Sequence, residues 1–385
     1  MRTKFASLLL IFVLAIPYLG SGQANTRPGE TYYLFIGTYT GGKPAKGIYV
    51  YRFNPDNGRL ARVATGEHVI NPSYLTLSPN GRYIYACTES KTPNAGSVSA
   101  FAFDSATGKL TFINRQPSRG ENPVYVTTDK TGKWLIDANY TEGSVSAYTI
   151  NNDGSLNPPC QQIAFDDSGI NKERQDRSHI HAAVFSPLQD FIFFPDLGAD
   201  KIRAFSFDAS VSQPLLPATP PYIKTAPGSG PRHFTFHPSG RFAYCIEELA
   251  GTIAAYNYNN GQLEPIQTIL SYSKPYDSYV SADIHISPDG RFLYASNRDE
   301  ETTISIFSID QQTGLLTSIG HQTTEGEEPR NFVIDPTGKF LLVANVGSDK
   351  VVVLKRDPAT GLLSKTGIKI KVPNPSCLQI RGYRR

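Results

Sequence analysis

The sequence predicts an all-β protein, a seven-bladed β-propeller of four-stranded blades, on three observations. A strand–turn–strand unit recurs seven times along the chain, at intervals of about fifty residues. A third, alternating strand recurs seven times in an independent register. The last unit runs out of chain before its second strand, and a matching strand stands at the N-terminus.

The first strand of each unit opens at Asn71, Asn122, His179, Gly230, Val280, Glu328 and Asn374. Six of these strands run into a tight turn, at Pro79–Gly81, Lys130–Gly132, Pro187–Gln189, Pro238–Gly240, Pro288–Gly290 and Pro336–Gly338, and then into a second strand. The seventh ends after Ile380, and Tyr32–Thr38 supplies the strand it lacks. The third strands are Gly47–Phe53, Gly96–Phe103, Gly143–Tyr148, Lys201–Phe207, Gly251–Tyr256, Thr303–Phe307 and Lys350–Leu354. Most are followed by a Gly turn and a more polar fourth strand, as at Gly108–Phe112 and Gly314–Thr317. The N-terminal strands thus complete the C-terminal blade, which closes the ring and leaves no free sheet edge.

Ahead of the repeats, Met1–Lys4 is basic, Phe5–Leu19 is apolar, and small residues Gly20–Gly22 precede Gln23. That pattern is a secretory signal peptide over residues 1–22, with the propeller over residues 30–385 and a periplasmic or secreted destination. The apolar run is too short for a membrane span, and no other window approaches one, so no membrane association is expected after cleavage. The 37 basic and 34 acidic residues nearly balance, which argues against nucleic acid as a partner. A closed ring suggests a monomer. Cys87, Cys160, Cys245 and Cys377 show no CxxC spacing. Three of them fall in strands of different repeats, where they read as small buried hydrophobes rather than a disulfide framework.

In a propeller the start of each innermost strand and the end of each second strand meet at one mouth of the central channel. At the third residue of the units stand Ser73, Val124, His181, Arg232, Ala282, Arg330 and Ser376. Just beyond the second strands stand Glu89, Tyr140, Leu197, Glu248, Arg298 and Val346. Blades 3 to 5 therefore bring His181, Arg232, Glu248 and Arg298 toward one axis as candidate catalytic residues. Arg330 follows one blade on, and with His179 and His233 it is a candidate for substrate binding. Arginine forks hold a carboxylate, a phosphate or a developing oxyanion, while glutamate and histidine move protons or activate water.

Asn139, Asp196, Asn297 and Asn345, at the ends of second strands, read as turn-formers. His237 and His285 read as packing. His179, His181 and Asp196 could frame a metal, but no HExxH or clustered Cys/His spacing supports one, and neither a metal nor a cofactor is expected. No P-loop, dinucleotide fingerprint or nucleophile elbow is present, so acyl-enzyme chemistry is unsupported. The longest interval contains Cys160–Arg177, a charged excursion that reads equally as a lid over the mouth or as solvated loop.

The segments Ser178–Pro187, Pro195–Lys201, Gly230–Pro238, Glu247–Leu249, Ala282–Gly290 and Ser296–Arg298, with Tyr33–Tyr39 and Gly47–Tyr51, resemble the seven-bladed lactonase family. That family includes propeller-type 6-phosphogluconolactonases and carboxy-muconate lactonizing enzymes. The resemblance covers essentially all of the chain beyond the leader. It implies a propeller and places the family's proposed active-site residues on His181, Arg232, Glu248 and Arg298. Ser178 stands where the family usually has proline. Hydrolysis of a sugar-acid lactone, with a small-molecule lactone or sugar acid as partner, is the leading expectation. A lactonizing cycloisomerase and a non-catalytic binding propeller are the alternatives.

Overall fold

The structure is a computed structural model that describes residues 29–41, 45–67, 69–90 and 95–384. The leader expected over residues 1–22 lies outside the described residues. Seven four-stranded antiparallel sheets, six of them built from strands consecutive in the chain, form the seven blades. The innermost strands are Leu75–Leu77, Pro123–Thr128, Val184–Phe185, Pro231–Phe236, Val280–Ile286, Pro329–Ile334 and Pro375–Arg384. Blade 7 combines that last strand with Glu30–Thr38, Ile48–Phe53 and Leu60–Gly66. The C-terminal strand pairs along its whole length, from Glu30 opposite Arg384 to Thr38 opposite Pro375. The propeller and its closure are as the sequence predicts.

Second strands such as Trp134–Asn139, Phe242–Glu247 and Phe340–Asn345 are buried at every residue. Each blade lies face to face with its neighbours, so both faces of its middle strands leave water. Fourth strands such as Lys109–Pro117 form the rim and keep mostly exposed or half-exposed residues. The tight turns need a left-handed residue, supplied by glycine at Gly81, Gly132, Gly240, Gly290 and Gly338; in blade 3 Gln189 takes that conformation at φ 61°.

The abundance of tyrosine has a structural reason. Tyr33, Tyr83, Tyr244 and Tyr294 bury their rings between blades and donate their hydroxyls to the backbone carbonyls of Ser105, Asn152, Gly314 and Gly361 in the next blade, at 2.7–2.9 Å. Each adds a polar tie to an apolar inter-blade contact. Cys87, Cys245 and Cys377 are fully buried free thiols in three blades, while Cys160 is exposed.

One buried carboxyl gives a stability prediction. Asp137, with no exposed surface, accepts hydrogen bonds from the Tyr148 hydroxyl (2.7 Å), the Ser146 amide (2.9 Å) and Asn139 Nδ2 (3.1 Å). Burial outweighs these bonds and pushes its pKa up to about 7. A folded pKa above the unfolded value favours the fold below about pH 4, and that contribution drains away as pH rises through 7. Asp137→Asn keeps the geometry, because the Tyr148 hydroxyl also reaches the Pro117 carbonyl at 3.2 Å. The variant is expected to melt on the order of 2 °C higher than the parent at pH 8. The advantage should vanish near pH 4. Thermal melts at both pH values check it.

Candidate functional site

The innermost strands do not simply run straight to the channel mouth. In blade 4 Pro231 pairs with Glu247, Arg232 is skipped, and the ladder resumes at His233 opposite Ile246. Val124 and Arg330 are skipped in the same way in blades 2 and 6, and Ala282 with Asp283 in blade 5. A bulge of this kind lets two consecutive side chains turn to the same side. The residue two before the skipped one is left-handed at Asn122 (62°), Gly230 (63°) and Glu328 (55°), which steers the chain into the bulge. As a result Arg232 and His233 line one crevice on the axis, as do Arg330 and Asn331.

Above that crevice a cavity of about 300 Å³ opens at the mouth, walled by Glu89, Tyr140, Arg174, His181, Glu248, Arg298 and Arg330. Glu248 is its hub. Its Oε1 lies 2.6 Å from Arg174 Nη2, and its Oε2 lies 2.8 Å from Arg232 Nε and 3.2 Å from Arg298 Nη2. Burial would raise the Glu248 carboxyl, but the charges of Arg298, Arg232 and Arg174 outweigh it and hold the pKa at about 2. The Arg232 contact is ionic rather than a well-aimed hydrogen bond, since its buried Nε–H finds no acceptor. Burial, with the charges of Arg298 and Arg330, pushes the Arg232 guanidinium down to about 9. It does not lose its proton at working pH. The direction marks Arg232 as a buried guanidinium crowded by two others.

Arg330 faces the cavity without an ion pair, its guanidinium 5.6 Å from the centre of the Tyr39 ring. Tyr39 donates its hydroxyl to Glu89 at 2.9 Å. His181 is 5% exposed, and its ring touches Tyr140 and His233 edge-on at 5.4 and 5.3 Å. Burial, aided by the charges of Arg232, His233 and Arg330, pushes its pKa well below the usual value, so the imidazole is neutral at neutral pH.

The four candidates His181, Arg232, Glu248 and Arg298 converge, and Arg330 joins them. His233 lies below the cavity, with Nδ1 2.7 Å from Asp283 Oδ1. His179 does not reach the cavity. It stacks on Tyr140 at 4.3 Å, with Nδ1 on the Tyr140 carbonyl and Nε2 on Asp176, so it is a support for Tyr140 rather than a substrate contact. Asp196, read from the sequence as a turn-former, is instead a buried anchor. It accepts the His179 amide at 2.8 Å and pairs with Arg203 Nη2 at 2.7 Å. His285 packs on Phe332 as expected and also reaches Asp283 Oδ2 at 3.0 Å.

Arg174 is the cavity residue that the sequence left unassigned. The excursion that carries it is pinned from three sides: Asp167 pairs with Lys201 and Arg203, Arg203 lies 3.9 Å from the Phe165 ring centre, and buried Gln175 bonds the Leu197 carbonyl and Asp200. The segment is a fixed lid over one side of the mouth.

Comparison with known proteins agrees with the fold. A family model described as "Lactonase, 7-bladed beta-propeller" matches residues 33–380. A 6-phosphogluconolactonase from Formosa agariphila is 44% identical over 351 residues, covering 91% of this chain and 99% of that one. One from Bacillus subtilis is 33% identical over 348 residues, covering 90% and 97%. Among solved structures, a periplasmic gluconolactonase from Pseudomonas aeruginosa superposes with a TM-score of 0.85 at 35% identity, covering 91% of this chain and 99% of that one.

Proposed function

We propose, from the premise that the chain belongs to the seven-bladed β-propeller lactonase family and is a lactonase, that it hydrolyses a sugar-acid lactone in the cavity around Glu248. The observation that carries the reading is a neutral imidazole, with no hydrogen-bond partner at Nδ1, set beside three guanidinium groups gathered on one carboxylate.

In this reading His181 is the base. Its ring takes a proton from water as the water oxygen bonds to the lactone carbonyl carbon. The carbonyl π electrons move to oxygen, and Arg232 and Arg298 hold the oxyanion. Collapse breaks the ring C–O bond, and the departing alkoxide recovers the proton from His181. The product is an open hydroxy acid whose carboxylate suits Arg330 and Arg298. Glu248 has both carboxylate oxygens occupied by three arginines, which leaves no free lone pair aimed at water. It orients the arginines and stays anionic throughout.

The expected leader and the periplasmic relative favour an exported enzyme, and with it an unphosphorylated aldonolactone, since phosphorylated intermediates are scarce outside the cytoplasm. The test is a pH-indicator assay on glucono-1,5-lactone and its 6-phosphate, with spontaneous ring opening subtracted. The parent is expected to exceed the buffer rate on both and to prefer the unphosphorylated lactone. His181→Gln should lose about 10²–10⁴-fold in kcat. Parent rates equal to buffer on every lactone would sink the hydrolase reading, and an unimpaired His181→Gln would sink the choice of base.

A further inference from the structure

Beneath the floor of the cavity lies a crevice of about 10 Å³, bordered by His181, Arg232, His233 and Ser376. That volume is about what one water molecule needs. Three of these side chains, each more than nine-tenths buried, carry a polar atom with no hydrogen-bond partner: His181 Nδ1, Ser376 Oγ and Arg232 Nε, the last ion-paired with Glu248 at 2.8 Å but with its N–H aimed elsewhere. Unpaired polar atoms are costly when buried. Two wholly unpaired atoms and a free N–H around a space of one water's size are a built site rather than a packing fault.

The fourth border group has its role set from behind. Asp283 accepts from the Ile284 amide at 2.9 Å and from the Phe332 amide at 3.2 Å. Asn331 and His285 bind its second oxygen. It is thus a fixed acceptor, so His233 Nδ1 must present its proton to it. His233 Nε2 then holds a lone pair.

We propose that one water molecule seated in this crevice joins the four groups, and that Ser376 and His233 act through it as positioning residues for His181. The water accepts from Arg232 Nε–H and His181 Nδ1–H and donates to His233 Nε2 and Ser376 Oγ. Its four bonds are satisfied, within the usual range for buried water. The consequence is a fixed tautomer: with the proton on Nδ1, the lone pair of His181 lies on Nε2. The site rests on the reading of His181 as base only for its catalytic meaning.

The test has a structural and a kinetic arm on the mature chain. A crystal structure resolving ordered solvent is expected to show one water within about 3 Å of His181 Nδ1, Arg232 Nε and Ser376 Oγ. Ser376→Val, which fills the crevice with methyl groups, should lower kcat about tenfold at constant KM. In that variant the imidazole ¹⁵N signals of His181 should change from a single Nδ1–H tautomer to a mixture. Ser376→Thr, which keeps a hydroxyl, should recover part of the rate. No water peak, with the side chains bonded directly to one another, would overturn the proposal. So would parent-like kcat and ¹⁵N signals in Ser376→Val. If the water is present but His181→Gln is fully active, the base assignment fails and the site stands. If the water is absent and His181→Gln is inactive, only the present proposal fails.

Discussion

Glu248→Gln is expected to lower kcat/KM for lactone hydrolysis by about 10³-fold or more and to destabilise the fold at the same time. The substitution keeps the shape and removes the charge that three guanidinium groups share. Arg232 and Arg298, nearly buried, would then repel one another across an uncharged side chain. Breaking a buried ion pair by removing one partner costs about 3–5 kcal/mol, although the exposed half of Arg174 softens its share. The pH dependence separates this from a generic defect. A carboxyl held at about 2 against an ordinary 4.5 contributes stability that is complete above pH 4.5 and lost as pH falls through 2. That acid slope should be present in melts of the parent and absent in Glu248→Gln. Equal slopes, or a rate within a few-fold of the parent, would show that Glu248 is not the hub.

A still larger effect is expected from removing the closing strand. Deletion of residues 375–385 takes away the innermost strand of blade 7, the partner of Glu30–Thr38 along its length. Buried Leu34, Ile36 and Leu378 on one side, and Tyr33, Phe35 and Cys377 on the other, belong to the two clusters that join blade 7 to its neighbours. Their loss opens the ring at both joints and leaves the edge of Glu30–Thr38 bare. The truncated chain is expected to show no cooperative melt and to aggregate. A circular permutant provides the counter-test. Glu30 and Arg384 lie opposite one another in the ladder, so a short turn can join them. New termini between blades 3 and 4, at Ala226–Gly228, should then leave a folded, cooperative protein. A cooperative melt in the truncated chain would refute closure by this strand.

The architecture was legible because every blade restates it. Alternation within strands, glycine or a substitute such as Gln189 at the left-handed turn, and the split last unit all lie in local sequence. The converging His181, Arg232, Glu248 and Arg298 could be found by aligning the repeats, because a ring sends equivalent positions to one axis. Arg174 could not, since it stands in a segment without counterparts in other blades, and only the anchors at Asp167, Arg203 and Gln175 decide where it lands. His179 misled for the opposite reason. It sits two residues from His181, which in a strand means the same direction, but a neighbouring tyrosine claims its ring. The partnership of His233, Asp283, His285 and Asn331 spans three blades. No spacing within one unit announces it.

The bulges and the closure meet in one place. Tyr39, just past the first strand, bonds through its amide to the Asn374 carbonyl and through its hydroxyl to Glu89 of blade 1, beside Arg330. The first and last strands of the propeller therefore back one wall of the cavity, the wall that Glu89 and Arg330 face. An unfinished or clipped chain lacks that wall however well its central blades have formed. On the proposed mechanism, turnover therefore counts closed rings, and a rate assay doubles as a check on completeness.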